Sequence, residues 1–186
     1  KAGVAERALA AGAEMINDIS ALRFDERMAE LVAKSQVPVV LMHMRGDPAT
    51  MQSDTHYDDL VEELFEFFRE RIAFAESKGI HPDRIILDPG IGFGKSLEEQ
   101  HNLVLLKNLR QFRVLGKTLL IGPSRKAFIG KIQGLAPQDR EEGTMASVAV
   151  AIMHGANMVR VHEVERTRRL VQVVDAILRC TPENLD

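Results

Sequence analysis

The run Arg84-Ile85-Ile86-Leu87-Asp88-Pro89-Gly90-Ile91-Gly92-Phe93-Gly94-Lys95-Ser96 decides how the rest of the chain is read. Its short apolar start has the pattern of a strand covered on both faces, as in a parallel sheet. Asp88 ends that strand, where a buried position gains nothing from an unpaired charge. A turn-initiating Asp-Pro-Gly is the bland explanation. Gly90, Gly92 and Gly94 follow at once, however, and let backbone approach a ligand closely. Asp88 therefore reads as a carboxylate able to accept two parallel hydrogen bonds from an N–H/NH2 edge, as on a guanidine-like ring. Two nucleotide motifs fail on spacing. A phosphate-binding P-loop needs glycine at position 89, which is proline, and the dinucleotide fingerprint needs glycine at 95, which is lysine.

The same unit, a short apolar strand and then a longer helical stretch, recurs along the chain. Strands are expected at Met15–Ile19, Val37–His43, Arg84–Asp88, Thr118–Gly122 and Met158–His162. Ala2–Ala13 is alanine-rich and helical. Asp25 reads as an N-cap before Met28, Leu31 and Val32. Leu60, Leu64, Phe68 and Ile72 form an amphipathic stripe on a helix ending near Gly79 and Pro82. Ser96 with Glu99 has the form of a capping box before Leu103 and Leu106. Met145–Met153 is apolar nearly all round, as in a buried or subunit-contact helix, and Arg168–Arg179 is the last helix. The strand ends at Asn17, His43, Asp88, Ser124 and Arg160 lie 26, 45, 36 and 36 residues apart, the length of one strand, one helix and two turns. No linker or low-complexity tract interrupts the series, so residues 1–186 read as one domain. Such alternation leaves an open doubly wound sheet or a closed eight-stranded barrel. A barrel takes about 250 residues, so this chain would be an incomplete one of five units, with three upstream. Periodicity does not separate the two.

Composition narrows the function. With 24 basic against 27 acidic side chains in 186 residues there is no basic excess, which argues against a nucleic-acid partner. No apolar run approaches the roughly 20 residues of a membrane helix. One cysteine, Cys180, excludes an internal disulfide and suits a reducing compartment. No His/Cys spacing suggests zinc.

The informative polar residues all fall at C-terminal strand ends, the edge where both parallel architectures place their sites. Asn17 and Asp18 face opposite ways by strand alternation, and the Asn17 amide suits a heterocycle edge. Ser124-Arg125-Lys126 open a helix, where a hydroxyl and two cations make an anion site. Arg160 and His162 share one strand face, an anion fork beside an imidazole able to bind or protonate a leaving group. His43 reads as a core or turn histidine, whereas the Met42 thioether suits an aromatic ring. His56, His81, His101 and His154 read as bystanders.

Taken together, Ile16-Asn17-Asp18-Ile19, His43-Met44-Arg45-Gly46-Asp47-Pro48 with Met51-Gln52, the Asp88–Lys95 run, Ser124-Arg125-Lys126 and Arg160-Val161-His162 resemble the dihydropteroate synthase family in order and spacing. The resemblance implies a TIM (β/α)8 barrel and condensation of 6-hydroxymethyl-7,8-dihydropterin diphosphate with p-aminobenzoate, giving dihydropteroate and pyrophosphate. It also implies a cytoplasmic homodimeric transferase of folate synthesis, using Mg2+ and targeted by sulfonamides. By position it gives Asn17, Asp88, Lys126 and Arg160 to the pterin, with Met42, Phe93 and Gly122 lining pockets. Ser124, with Phe93, falls to p-aminobenzoate, and Arg160 and His162 to pyrophosphate. Asp88, Lys126, Arg160 and His162 are then the catalytic set. The family's first three strands, whose loops carry an Asn for the metal, a Thr-Arg-Pro segment and a further pterin-contacting Asp, are not represented. No metal ligand is therefore expected among these residues. A methyltetrahydrofolate methyltransferase barrel shares the Asn and Asp but handles no pyrophosphate. A non-catalytic pterin-binding homologue is the rival of another class.

Overall fold

The five apolar runs become five parallel strands in a computed structural model that describes residues 1–181: β1 (Ile16–Asp18), β2 (Val39–Met42), β3 (Ile85–Asp88), β4 (Thr118–Ile121) and β5 (Met158–Val159). They pair in chain order, each parallel to the one before. A doubly wound sheet reverses its strand order at a switch point; this sheet never does. It is the arc of an incomplete (β/α) barrel, with α1 (Ala2–Ala10), α2 (Arg27–Ser35), α3 (Leu60–Ser77), α4 (His101–Asn108), α5 (Ala127–Gln133), α6 (Glu141–Met153) and α7 (Val164–Arg179) between and around the strands.

Strand alternation sorts the side chains onto two faces. Ile16, Val39, Leu41, Ile85, Leu87, Leu119 and Ile121 join the main core with helix residues such as Val32, Leu64, Phe68 and Leu105. Val40, Ile86 and Leu120, with Met158 against them, form a separate small cluster on the inner face. Registers Asn17 to Val40, Val40 to Ile86, Met42 to Asp88 and Leu120 to Met158 carry that inner face across the sheet. It ends, at the C-terminal edge, in Met42, Asp88, Gly122 and Arg160.

Side-chain carboxylates anchor two helix starts. The Asp59 carboxylate accepts from the Val61 and Glu62 amides at 3.0 Å each and starts α3, a cap whose loss costs about 1 kcal/mol. Asp25, expected as the N-cap of α2, lies one residue further out, because Glu26 holds that position; it accepts from Arg27 N–H at 3.1 Å and also from Ala2 N–H at 2.7 Å, tying α2 to α1.

Further local expectations are corrected. Ser96 Oγ does accept from Glu99 N–H at 3.0 Å, but Gln100 takes a left-handed φ of 55° and α4 starts only at His101. The Ser96–Glu99 pair thus closes a turn rather than capping a helix. β5 stops at Val159, although Arg160 N–H still donates to the Ile121 carbonyl at 2.9 Å. His162 is therefore off the strand, and the shared-face argument for Arg160 and His162 does not apply. Ser124 does not open α5 either; Lys126 is its N-cap, and Arg125 sits in a left-handed turn with φ 58°. Apolar α6 buries Val148 and Ala151 but leaves Val150 and Met153 exposed.

Candidate active site

Three strands converge on one ion pair. Asp88, at the end of β3, is completely buried; its Oδ1 accepts from Gly90 N–H at 2.8 Å and its Oδ2 from Arg160 Nη2 at 2.9 Å. The other arm of the same guanidinium, Nη1, donates to Asn17 Oδ1 at 2.7 Å. A rigid fork suits this bridge between two acceptors on strands far apart in sequence. Gly122 permits it: a Cβ there would lie 2.7 Å from Arg160 Nη2. Met42 stands beside Asp88 in register, fully buried, with no surface facing the cleft. Asp18 points the other way, where its carboxylate accepts from the Ser20 and Leu22 amides and the Ser20 hydroxyl. That division between Asn17 and Asp18 is the one strand alternation predicts.

The β4 and β5 turns meet beside this pair. Lys126 Nζ lies 4.1 Å from the centroid of the Phe93 ring, a cation–π contact. Ser124 Oγ and His162 Nδ1 are 2.7 Å apart, and His162 N–H donates to Ser124 Oγ at 3.3 Å. Two residues expected to serve different ligands are thus one couple, with imidazole Nε2 left for a ligand. Arg125 is not part of any anion site. It turns away to Glu163 at 2.7 Å, with its Nε 4.0 Å from Glu141. The expected cluster of two cations is therefore one, Lys126. Alongside Asn17 and Arg160 a cleft of about 600 Å3 runs down the inner face, past Val40, Leu120 and Met158.

The glycine loop after Asp88 is hydrogen-bonded throughout. Gly92 N–H donates to Asn102 Oδ1 at 2.7 Å, Gln52 Nε2 to the Gly92 carbonyl at 3.3 Å, and the Tyr57 hydroxyl to the Gly94 carbonyl at 2.7 Å. Gly90, with φ 72°, cannot carry a side chain: a Cβ would stand 1.9 Å from the His43 carbonyl oxygen. Lys95 was not legible as part of the site. It is 2% exposed, with Nζ 2.9 Å from His43 Nδ1. The only signal in the sequence was a lysine closing a glycine run with no phosphate motif to explain it.

Burial sets the electrostatics. It pushes the Asp88 carboxyl up from the ordinary range, against the pull of Arg160, Gly90 N–H and Lys126. It pushes the Lys126 ammonium down, opposed by Asp88 and aided by Arg160. His43 falls well below the usual imidazole range, through burial and then Lys95. An arrangement of one buried acid faced by a guanidinium and an ammonium can hold a flat polar heterocycle and an anion together. Among the described residues no group of three or more His, Cys, Asp or Glu side chains could hold a metal ion. No helix among the described residues is long and apolar enough to cross a membrane.

A barrel arc that gathers such a pocket at its C-terminal edge defines a class, and residues 1–162 match the model of that class: the chain belongs to the pterin binding enzyme family. The relatives that it matches include dihydropteroate synthase from several bacteria. It is 46% identical to that of Synechocystis sp. over 180 residues, covering 96% of this chain and 62% of the relative. The Yersinia pestis dihydropteroate synthase in a sulfonamide drug complex superposes with a TM-score of 0.92 at 39% identity, covering 97% of this chain and 64% of that one. The Thermus thermophilus enzyme has a TM-score of 0.89 in complex with 6HMPPP, at 43% identity, covering 96% and 70%. Its 4-aminobenzoate complex gives 0.88 at 43% identity, covering 95% and 68%. The chain spans less than two thirds of the Synechocystis relative's length.

Proposed function

We propose that the chain is the pterin- and pyrophosphate-binding part of a dihydropteroate synthase, within a single barrel domain over residues 1–186. Residues 182–186 of that span lie outside the described ones. The reaction joins 6-hydroxymethyl-7,8-dihydropterin diphosphate to p-aminobenzoate. The methylene C–O bond to the diphosphate breaks, a C–N bond to the aromatic amine forms, and that amine loses a proton. The observation that carries this reading is Arg160 bridging buried Asp88 and Asn17, at 2.9 and 2.7 Å. The two acceptors that suit a pterin edge are held ready by the cation that suits its departing tail.

Substrate binding is then an exchange. The pterin N–H edge takes the Asp88 and Asn17 acceptors, and the freed guanidinium stacks on the ring and meets the diphosphate. As the C–O bond breaks, Asp88 places negative charge against a ring gaining positive charge. Arg160 and His162 receive the charge of the leaving pyrophosphate, an electrostatic contribution of about 2.7–4 kcal/mol per group. Lys126 binds the pterin's polar atoms from above Phe93, and Ser124 meets the p-aminobenzoate carboxylate. Sulfonamides compete at the aminobenzoate position in this reading. A homodimer contact across α6 and α7 is supported by exposed Val150, Met153, Val173 and Ile177. Exposed Cys180, free of any disulfide, suits a cytoplasmic enzyme. The full-length protein, given the pterin diphosphate and radiolabelled p-aminobenzoate, should form labelled dihydropteroate and pyrophosphate in equal amounts. Pterin binding without turnover would instead leave a non-catalytic homologue.

A further inference from the structure

Lys95 and His43 take no part in the chemistry above, yet they underlie it. Lys95 Nζ lies 2.9 Å from His43 Nδ1, 2.9 Å from the Phe93 carbonyl and 3.5 Å from the Gly90 carbonyl. The other loop groups have their own partners in Gln52, Tyr57 and Asn102. The Phe93 carbonyl has Lys95. His43 in turn donates its backbone N–H to the Asp88 carbonyl at 2.8 Å. One residue thus fixes both the backbone of the buried acid and the amine that holds the loop. A buried amine is a costly way to satisfy two carbonyls, and a structural turn needs nothing so expensive.

We infer that Lys95, seated on His43, is a positioning residue of the reaction: by holding the Phe93 carbonyl it keeps the Phe93 ring against Lys126. The inference rests on the synthase reading. Burial lowers the Lys95 ammonium to about 7, with Asp88 opposing the fall and Arg45 and Lys126 adding to it. The arrangement survives the loss of that proton. A neutral amine still donates to both carbonyls and can accept from an Nδ1–H tautomer of His43.

The test is a double-mutant cycle in the full-length enzyme, comparing wild type, Lys95→Met, Phe93→Ala and the double variant for kcat, KM and Tm. Lys95→Met should lower kcat/KM for p-aminobenzoate by about 10- to 100-fold, the scale of an ångström-sized misplacement. The double variant should be no worse than Phe93→Ala alone, within about threefold, because both changes remove the same interaction. Losses that multiply, or a Lys95→Met enzyme within about threefold of wild type, would overturn the inference. Lys95→Leu, which also lacks a donor, carries the same cycle if the methionine variant does not fold, and Lys95→Gln, which keeps one donor for the Phe93 carbonyl, should retain more activity than either. Wild-type turnover in the same assay separates the two ideas. Without it both fall; with it, multiplying losses remove only the role of Lys95.

Discussion

Replacing Asp88 with asparagine separates chemistry from stability at one atom. Asp88 Oδ1 holds Gly90 N–H at 2.8 Å and Oδ2 holds Arg160 Nη2 at 2.9 Å. In Asp88→Asn one of these oxygens becomes an NH2. If the amide keeps its oxygen toward Gly90, its two hydrogens face the Arg160 guanidinium, and later the N–H edge of a pterin, donor against donor. A hydrogen bond to a charged group is worth about 1.5–3 kcal/mol, and a preorganised charge facing a developing one about 2.7–4 kcal/mol. The expected loss in kcat/KM is therefore about 100- to 1000-fold. The fold should not share it. Asp88 is wholly buried, and its carboxyl is pushed above the ordinary range by that burial. For an acid so shifted, the contribution to stability is full below its unfolded pKa and is lost as pH rises through the folded one. Asparagine resembles the protonated form and relieves that burden. The Arg160 side chain, 43% exposed, can turn to water. The assay is radiolabelled p-aminobenzoate incorporation by the full-length enzyme, alongside thermal unfolding at about pH 7.5, above the ordinary carboxylate range. The expected pattern is activity down by two to three orders of magnitude at a Tm equal to or above wild type. Activity within about threefold of wild type would remove the carboxylate from the mechanism. A large fall in Tm would show that the charge supports the fold instead.

Arg160→Lys keeps the charge but cannot span Asn17 and Asp88 at once or stack as a plane. It should lower kcat/KM by about 10- to 100-fold and weaken pyrophosphate binding, read by calorimetry. Gly90→Ala places a Cβ 1.9 Å from a backbone oxygen at a positive φ. It should cost about 4 kcal/mol or more, seen as insoluble protein or a collapsed denaturant midpoint. Lys95 makes stability depend on pH in a stated direction. With a folded value of about 7 against an ordinary 10.5, the unfolded chain holds more protons in between, so this group's contribution rises with pH there. The stability of wild type minus that of Lys95→Met should climb by about 1.4 kcal/mol per pH unit between those limits and stay flat below them, in denaturant titrations.

Local patterns were legible because local forces make them. Each strand was placed to within a residue or two at its start, since a short β-branched run between turn formers has few other options. Alternation separated Asn17 from Asp18, and the C-terminal edge rule marked Asp88 and Arg160, whereas Met42 came from the packing of its thioether and Gly122 from the family resemblance alone. The errors also have local causes. Gln100, Arg125 and the early end of β5 are backbone departures that no periodicity announces. His162 was placed near the site by the wrong argument, as its position comes from Ser124 rather than from a strand face.

The sequence by itself determined the strand–helix units and the gathering of polar groups at one end of them, because period and turn chemistry act between near neighbours. Only the tertiary structure decided that the strands run in unbroken order around a barrel arc, and that Arg160 reaches across 143 residues to Asn17 and 72 to Asp88. It also decided that Arg125 leaves the site for Glu163 while Lys95 enters it against His43. Which charges meet depends on which distant backbones are brought within a few ångströms. That is fixed by the packing of the whole arc, and no window of the chain contains it.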